Sequence, residues 1–135
     1  MTPQRYMLDT NIVSDLVRNP GGRAAERVRA MGGDALAVSI ITAAELRFGA
    51  AKSESLRLKS RVDAILETLD VIPFDVPADV EYAAIRCELE AAGKPIGPND
   101  LLIAAHARSL DATIVRANEA EFGRIRGLSF ENWLV

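Results

Sequence analysis

Gly97-Pro98-Asn99-Asp100-Leu101-Leu102-Ile103-Ala104-Ala105-His106-Ala107 is the stretch on which the fold turns. Glycine and proline halt the chain, and Pro98 suits a first helical turn, where its missing N–H is not needed. The five residues after Asp100 are all apolar, so the helix they build is buried on most sides. A carboxylate therefore stands where a buried helix begins, and the free N–H groups and helix dipole favour it there.

Working outward, short apolar runs alternate with helical patterns. Arg5-Tyr6-Met7-Leu8-Asp9 reads as a strand that stops at Asp9-Thr10-Asn11, after which Ile12, Val13, Leu16 and Val17 recur at helical spacing. Asn19-Pro20-Gly21-Gly22 ends that helix, and a more polar one spans Arg23 to Met31 before Gly32-Gly33. Ala35 to Ser39 reads as a second buried strand. Thr42-Ala43-Ala44-Glu45 matches a capping box, with its helix running to about Ala51. A longer helix is predicted from about Ser53 to Leu69, with Leu56, Val62, Ile65, Leu66 and Leu69 as its apolar stripe. Val71 to Phe74 reads as an edge strand or strand end because of Pro73. Pro77 opens a helix carrying Val80, Ala83, Ala84, Cys87 and Leu89. Ala112 to Val115 is a strand, Ala117 to Phe122 a turn with a short helix, and Leu128 to Val135 a last strand or extended tail. Such alternation predicts an α/β fold: a three-layer α/β/α sandwich around a central, mainly parallel sheet.

Bulk properties narrow the function classes. The 135 residues form one predicted domain, residues 1–135, long enough to bury about two-thirds of the unfolded surface. A net charge of −3 means that a nucleic-acid partner would have to meet a local basic patch. The best candidates are Lys52, Arg57, Lys59 and Arg61, together with Arg23 and Arg27, although a solvated helix face is the default reading for each of them. The single Cys87 excludes a disulfide framework and a thiolate zinc cluster. No apolar run reaches the roughly 18 residues of a membrane span, and no charged-then-apolar leader is evident, so a cytoplasmic protein is expected.

Parallel sheets hold their ligand sites at the carboxyl ends of the strands. Asp9 lies at such an end, and Glu45 and Asp100 lie at helix starts expected on the same edge. Singly, each acid has a structural explanation: a cap for Asp9, the capping box for Glu45, the helix dipole for Asp100. Together, three like charges facing one crevice require a cation. Oxygen donors without cysteine or matching histidines suit Mg²⁺, with Mn²⁺ as an alternative, better than Zn²⁺. An acidic metal pocket in turn points to phosphoryl chemistry on a nucleic acid or nucleotide. His106, six residues beyond Asp100, is off its helical face and reads as a packed or surface histidine.

Three ordered motifs carry a resemblance. Met7-Leu8-Asp9-Thr10-Asn11-Ile12, Ile41-Thr42-Ala43-Ala44-Glu45-Leu46-Arg47-Phe48-Gly49 and Ile96-Gly97-Pro98-Asn99-Asp100 through Ala107 resemble PIN-domain ribonucleases, specifically VapC-type toxins of bacterial toxin–antitoxin pairs; Glu121-Phe122, Gly127-Leu128 and Glu131-Asn132-Trp133 also fit. The resemblance implies a Mg²⁺-dependent endoribonuclease that cuts structured RNA of tRNA or rRNA type. It also implies self-association and silencing by a cognate antitoxin. By position it makes Asp9, Glu45 and Asp100 the catalytic acids and metal ligands, with Asn118 a fourth ligand. Arg116, Thr10 and Asn11 become candidate substrate contacts. Where such proteins carry a threonine or serine after the fourth strand, this chain has Arg116, for which phosphate contact, neutralisation of a site carboxylate and a solvent-facing position are all open. Two rivals stand beside this function. One is a non-catalytic RNA- or protein-binding module. The other is an aspartyl-nucleophile phosphatase, disfavoured because Asn11 stands where a second Asp is common.

Overall fold

A computed structural model describes residues 5–116 and 122–134. Its elements run β1 (Tyr6–Leu8), α1 (Thr10–Arg18), α2 (Arg23–Met31), β2 (Leu36–Ser39), α3 (Ile40–Ser53), α4 (Leu56–Thr68), β3 (Asp70–Ile72), α5 (Ala78–Ala91), α6 (Pro98–Ser109), β4 (Thr113–Val115) and β5 (Phe130–Glu131), with short 3₁₀ turns at Gly33–Ala35 and Phe122–Arg124. Every strand pair is parallel, in the order β3-β2-β1-β4-β5. The predicted parallel α/β/α architecture is therefore the observed one.

Alternation along the central strands divides the core in two. Leu8, Leu36, Val38 and Val115 face a layer built from α1, α2, α3 and α4, whereas Met7 and Ile114 face α5 and α6. Neighbouring residues on one strand point to opposite faces, so a helix layer on each side lets nearly continuous apolar strands be buried. In α6 the residues Leu101, Ile103, Ala104, Ala105, His106 and Ala107 are all buried, as its uninterrupted apolar run predicts. Each large aliphatic side chain so buried contributes ~1.5–3 kcal/mol, which anchors the position of Asp100 one residue upstream.

Several local expectations are corrected. Helix α3 begins at Ile40, not at a capping box: the Ser39 hydroxyl accepts a hydrogen bond from the Ile41 N–H, and Thr42 is already inside the helix and buried. A hydroxyl at the end of β2 caps the helix before Thr42 is reached. Leu56 is 81% exposed and Val80 64% exposed, because each lies in the first turn of its helix, clear of the sheet. In α5 Ile85 and Leu89 supply the buried face, and Cys87 is exposed. The third strand stops at Ile72, and it is an edge strand as Pro73 suggests. The turn at 117–121 lies outside the described residues.

The strand order locates the crevice. From β1 the chain builds outward through β2 to β3, then crosses back to add β4 and β5 on the other side. The order reverses between β1 and β4, and in open parallel sheets ligands bind beyond the carboxyl ends of the strands at such a switch point. Leu8 pairs with Val115, so Asp9 and Arg116 are the next residues of two adjacent strands, at that edge.

Candidate active site

Asp9 is 4% exposed and caps α1 by accepting a hydrogen bond from the Ile12 N–H at 3.1 Å. Its own N–H donates to the Val115 carbonyl at 3.0 Å, which ties it to the end of β4. Burial pushes its carboxyl up from the ordinary 3.8 to about 6; the Ile12 and Asn11 N–H groups and the Arg116 charge pull it back, and Asp100 adds to the rise. The two acids therefore sense each other, as like charges facing one crevice must.

Asp100 stands in the first turn of α6 with its side chain 34% exposed. Between the acids lies Arg116. Its Nε is 3.6 Å from Asp9 Oδ2 and its Nη1 is 3.8 Å from Asp100 Oδ1, while its guanidinium carbon sits 4.1 Å from the centre of the Phe122 ring. The side chain is only 6% exposed, and among the described residues neither Nε nor Nη1 has a hydrogen-bond partner. Its charge therefore lies beside two site carboxylates. The solvent-facing alternative is excluded by its burial.

Glu45 occupies the rim. Thr10 Oγ1 donates to its Oε1 at 2.6 Å, and Asn99 Nδ2 donates to its Oε2 at 3.1 Å. The donors are the residue after Asp9 and the residue before Asp100, so the third acid is linked to both of the others through their neighbours. Among the described residues no three acids, histidines or cysteines converge tightly enough to form a metal cage by themselves. Thr10, expected as a substrate contact, spends its proton on Glu45 and positions that carboxylate. Asn11 is exposed. Asn118 and Glu121 lie outside the described residues.

Two participants went unrecognised in the sequence. The signal for Asn99 is an amide adjacent to Asp100 in a first helical turn. For Phe122 nothing local reveals that its ring underlies Arg116. His106 is packed, as expected: its Nδ1 lies 2.8 Å from Ser39 Oγ and its ring meets Phe74 edge-on. Burial lowers its pKa, a shift partly offset by a hydrogen bond to the Pro73 backbone. That arrangement gives it no access to the crevice. Of the basic candidates, Arg27 stacks over Trp133 and pairs with Glu131. Lys52, Arg57, Lys59, Arg61 and Arg23 are exposed.

A groove of about 250 Å³ opens from the Glu45 side between α1, α3 and α4, with Thr10, Val17, Leu46, Leu58 and Val62 among its lining residues. No helix among the described residues is long and apolar enough to cross a membrane.

Comparison with known proteins agrees with this fold. The family model described as PIN domain matches residues 6–128. Ribonuclease VapC2 of Rickettsia felis is 40% identical over 130 residues, covering 95% of this chain and 97% of that protein. A tRNA(fMet)-specific endonuclease VapC of Shigella flexneri is 37% identical, covering 96% and 98%. Among solved structures, VapBC2 from Rickettsia felis bound to a DNA fragment from its promoter superposes with a TM-score of 0.90 at 36% identity, over 96% of this chain and 99% of the matched one.

Proposed function

The chain belongs to the PIN-domain family, and on that premise we propose that it is an endoribonuclease toxin held silent by a cognate antitoxin. One observation carries the proposal: across nearly their whole length, chains named as VapC ribonucleases align with this one. The groove beside Glu45 is apolar and reaches the site, which suits an antitoxin segment that covers both. The relative named as a tRNA(fMet)-specific endonuclease supports a structured RNA, of tRNA type, as the target.

The finer reading is that the reaction depends on Mg²⁺, with Mn²⁺ as a substitute. The donor set fits such an ion: Asp9 and Asp100 offer hard carboxylate oxygens, and both already lie within ion-pair distance of one positive group. Asp9 and Asp100 would hold the ion, with Glu45 contributing from the rim and Asn118 as the fourth ligand that the resemblance implies. When bound, it would supply Lewis-acid stabilisation of the charge that develops on the phosphate.

The chain's own residues do the rest. Hydrolysis joins a water oxygen to phosphorus, breaks one P–O bond of the RNA backbone and leaves a proton on the departing oxygen. Thr10 and Asn99 fix the plane of the Glu45 carboxylate by occupying one lone pair on each oxygen, and the remaining lone pairs can orient a water and accept its proton. Asp9 is fixed by the Ile12 N–H and by the strand behind it, so its free oxygen has little freedom to move. End-mapping of cellular RNA after brief expression of the wild type and of Asp100→Asn tests the function. A discrete cut made by the wild type and lost in the variant is expected. No cut, or the same cut in both, would overturn it.

A further inference from the structure

Arg116 stands where a small hydroxyl belongs in proteins that this chain resembles, and its surroundings are specific. The parallel register that pairs Leu8 with Val115 brings Arg116 alongside Asp9. Burial then denies it the solvent that would otherwise screen its charge. Its distances to Asp9 and Asp100, 3.6 and 3.8 Å, are Coulombic contacts too long for hydrogen bonds. Nε and Nη1 are indeed without hydrogen-bond partners among the described residues. The opposing support is the Phe122 face at 4.1 Å, a cation–π contact that needs neither acid.

We propose that Arg116 is a resident counter-cation of the Asp9–Asp100 pair, which balances the two carboxylates when no divalent ion is bound and competes with that ion for them. The inference rests on the metal-dependent reading of the site given above. A guanidinium locked by bidentate hydrogen bonds would be costly to displace. This one is attracted to both acids and fastened to neither, so an incoming ion breaks no hydrogen bond between Arg116 and either acid. The competition sets metal affinity: this chain holds a divalent ion less tightly than the same acids would beside a neutral side chain. It also explains how a buried acid at the carboxyl end of β1 and a second at the start of α6 coexist in the metal-free protein.

Mn²⁺ binding to the full chain, followed by calorimetry and by the paramagnetic resonance signal of free Mn²⁺, tests the proposal without reference to RNA cleavage. Arg116→Thr and Arg116→Gln should bind Mn²⁺ at least about tenfold more tightly than the wild type, since a unit charge ~4 Å away outweighs that factor even when screened. Arg116→Lys, which keeps the charge, should bind as the wild type does. In the neutral variants melting without metal should fall, and the rise on adding Mn²⁺ should exceed that of the wild type. Circular dichroism verifies that each is folded, and Gln serves if Thr leaves too large a void. Equal or weaker Mn²⁺ affinity in a folded neutral variant, or tightening in the Lys variant, overturns the counter-cation role while leaving the metal site standing. If instead Asp9→Asn binds Mn²⁺ as the wild type does, or neither the wild type nor the neutral variants bind it, the metal reading falls and takes this proposal with it.

Discussion

The two sides of the crevice solve the same electrostatic problem differently. On the deep side Asp9 is 4% exposed, and its charge is met by another charge, that of Arg116. On the rim Glu45 is half-buried and, among the described residues, is met by two neutral donors, Thr10 and Asn99. Depth decides which device is used. A buried carboxylate loses its hydration and needs a full countercharge, whereas one still in touch with water needs only orientation. The deep side should therefore govern stability and affinity for cations, and the rim should govern geometry.

The largest effect that tests this division is on cleavage. Asp9→Asn and Asp100→Asn should each lower RNA cleavage by more than ~100-fold, the scale at which even the supports of metal ligands matter. Both are expected to fold, and gel-resolved cleavage of a defined RNA by the purified protein measures the loss. Retained cleavage in either variant would merge the two sides into a merely structural corner.

Next in size is a pH effect confined to the deep side. Asp9 has its carboxyl raised by burial from 3.8 to about 6. An acid whose pKa rises on folding contributes stability that is fully present below its unfolded value and is lost as pH rises through the folded one. The metal-free wild type should therefore lose up to ~3 kcal/mol between pH 3.8 and about 6 from this group. Asp9→Asn should flatten that part of the curve in urea titrations at successive pH values, while Glu45→Gln should leave it intact.

Smaller effects belong to the rim. Glu45→Gln should reduce cleavage ~10- to 100-fold, and Thr10→Val should reduce it less, ~10-fold at most, because Asn99 still holds the other oxygen. Single-turnover cleavage rates against melting temperature separate these from folding defects, and a Thr10→Val loss larger than that of Glu45→Gln would reverse the assigned order. Smallest of all for catalysis should be His106→Gln: cleavage within ~2-fold, with ~1–2 kcal/mol of stability lost with the Ser39 hydrogen bond, read by chemical denaturation.

Much of this was legible in the chain itself. The apolar run after Asp100 is long enough to demand burial whatever packs on it, so α6 and its acidic mouth follow from local chemistry. The alternation of strand and helix likewise points to parallel pairing, because each helix supplies the long crossover that returns the chain to the same end of the sheet. Less legible was the start of α3. Thr42 and Ser39 are equivalent capping hydroxyls by composition, and only the end of β2 at Ser39 chooses between them.

By itself, then, the sequence determined most of the elements and their parallel arrangement and singled out the three acids, because periodicity, capping chemistry and turn residues act within a few positions along the chain. The tertiary structure alone decided which charges meet. Arg116 is more than a hundred residues from Asp9, and no local pattern distinguishes a buried arginine from an exposed one. Register between β1 and β4 places it beside Asp9, the Phe122 ring supports it from below, and burial turns a nominal surface charge into the countercharge of the site. The physical reason is that pairing register and desolvation are properties of the packed sheet, to which residues distant in the chain contribute equally.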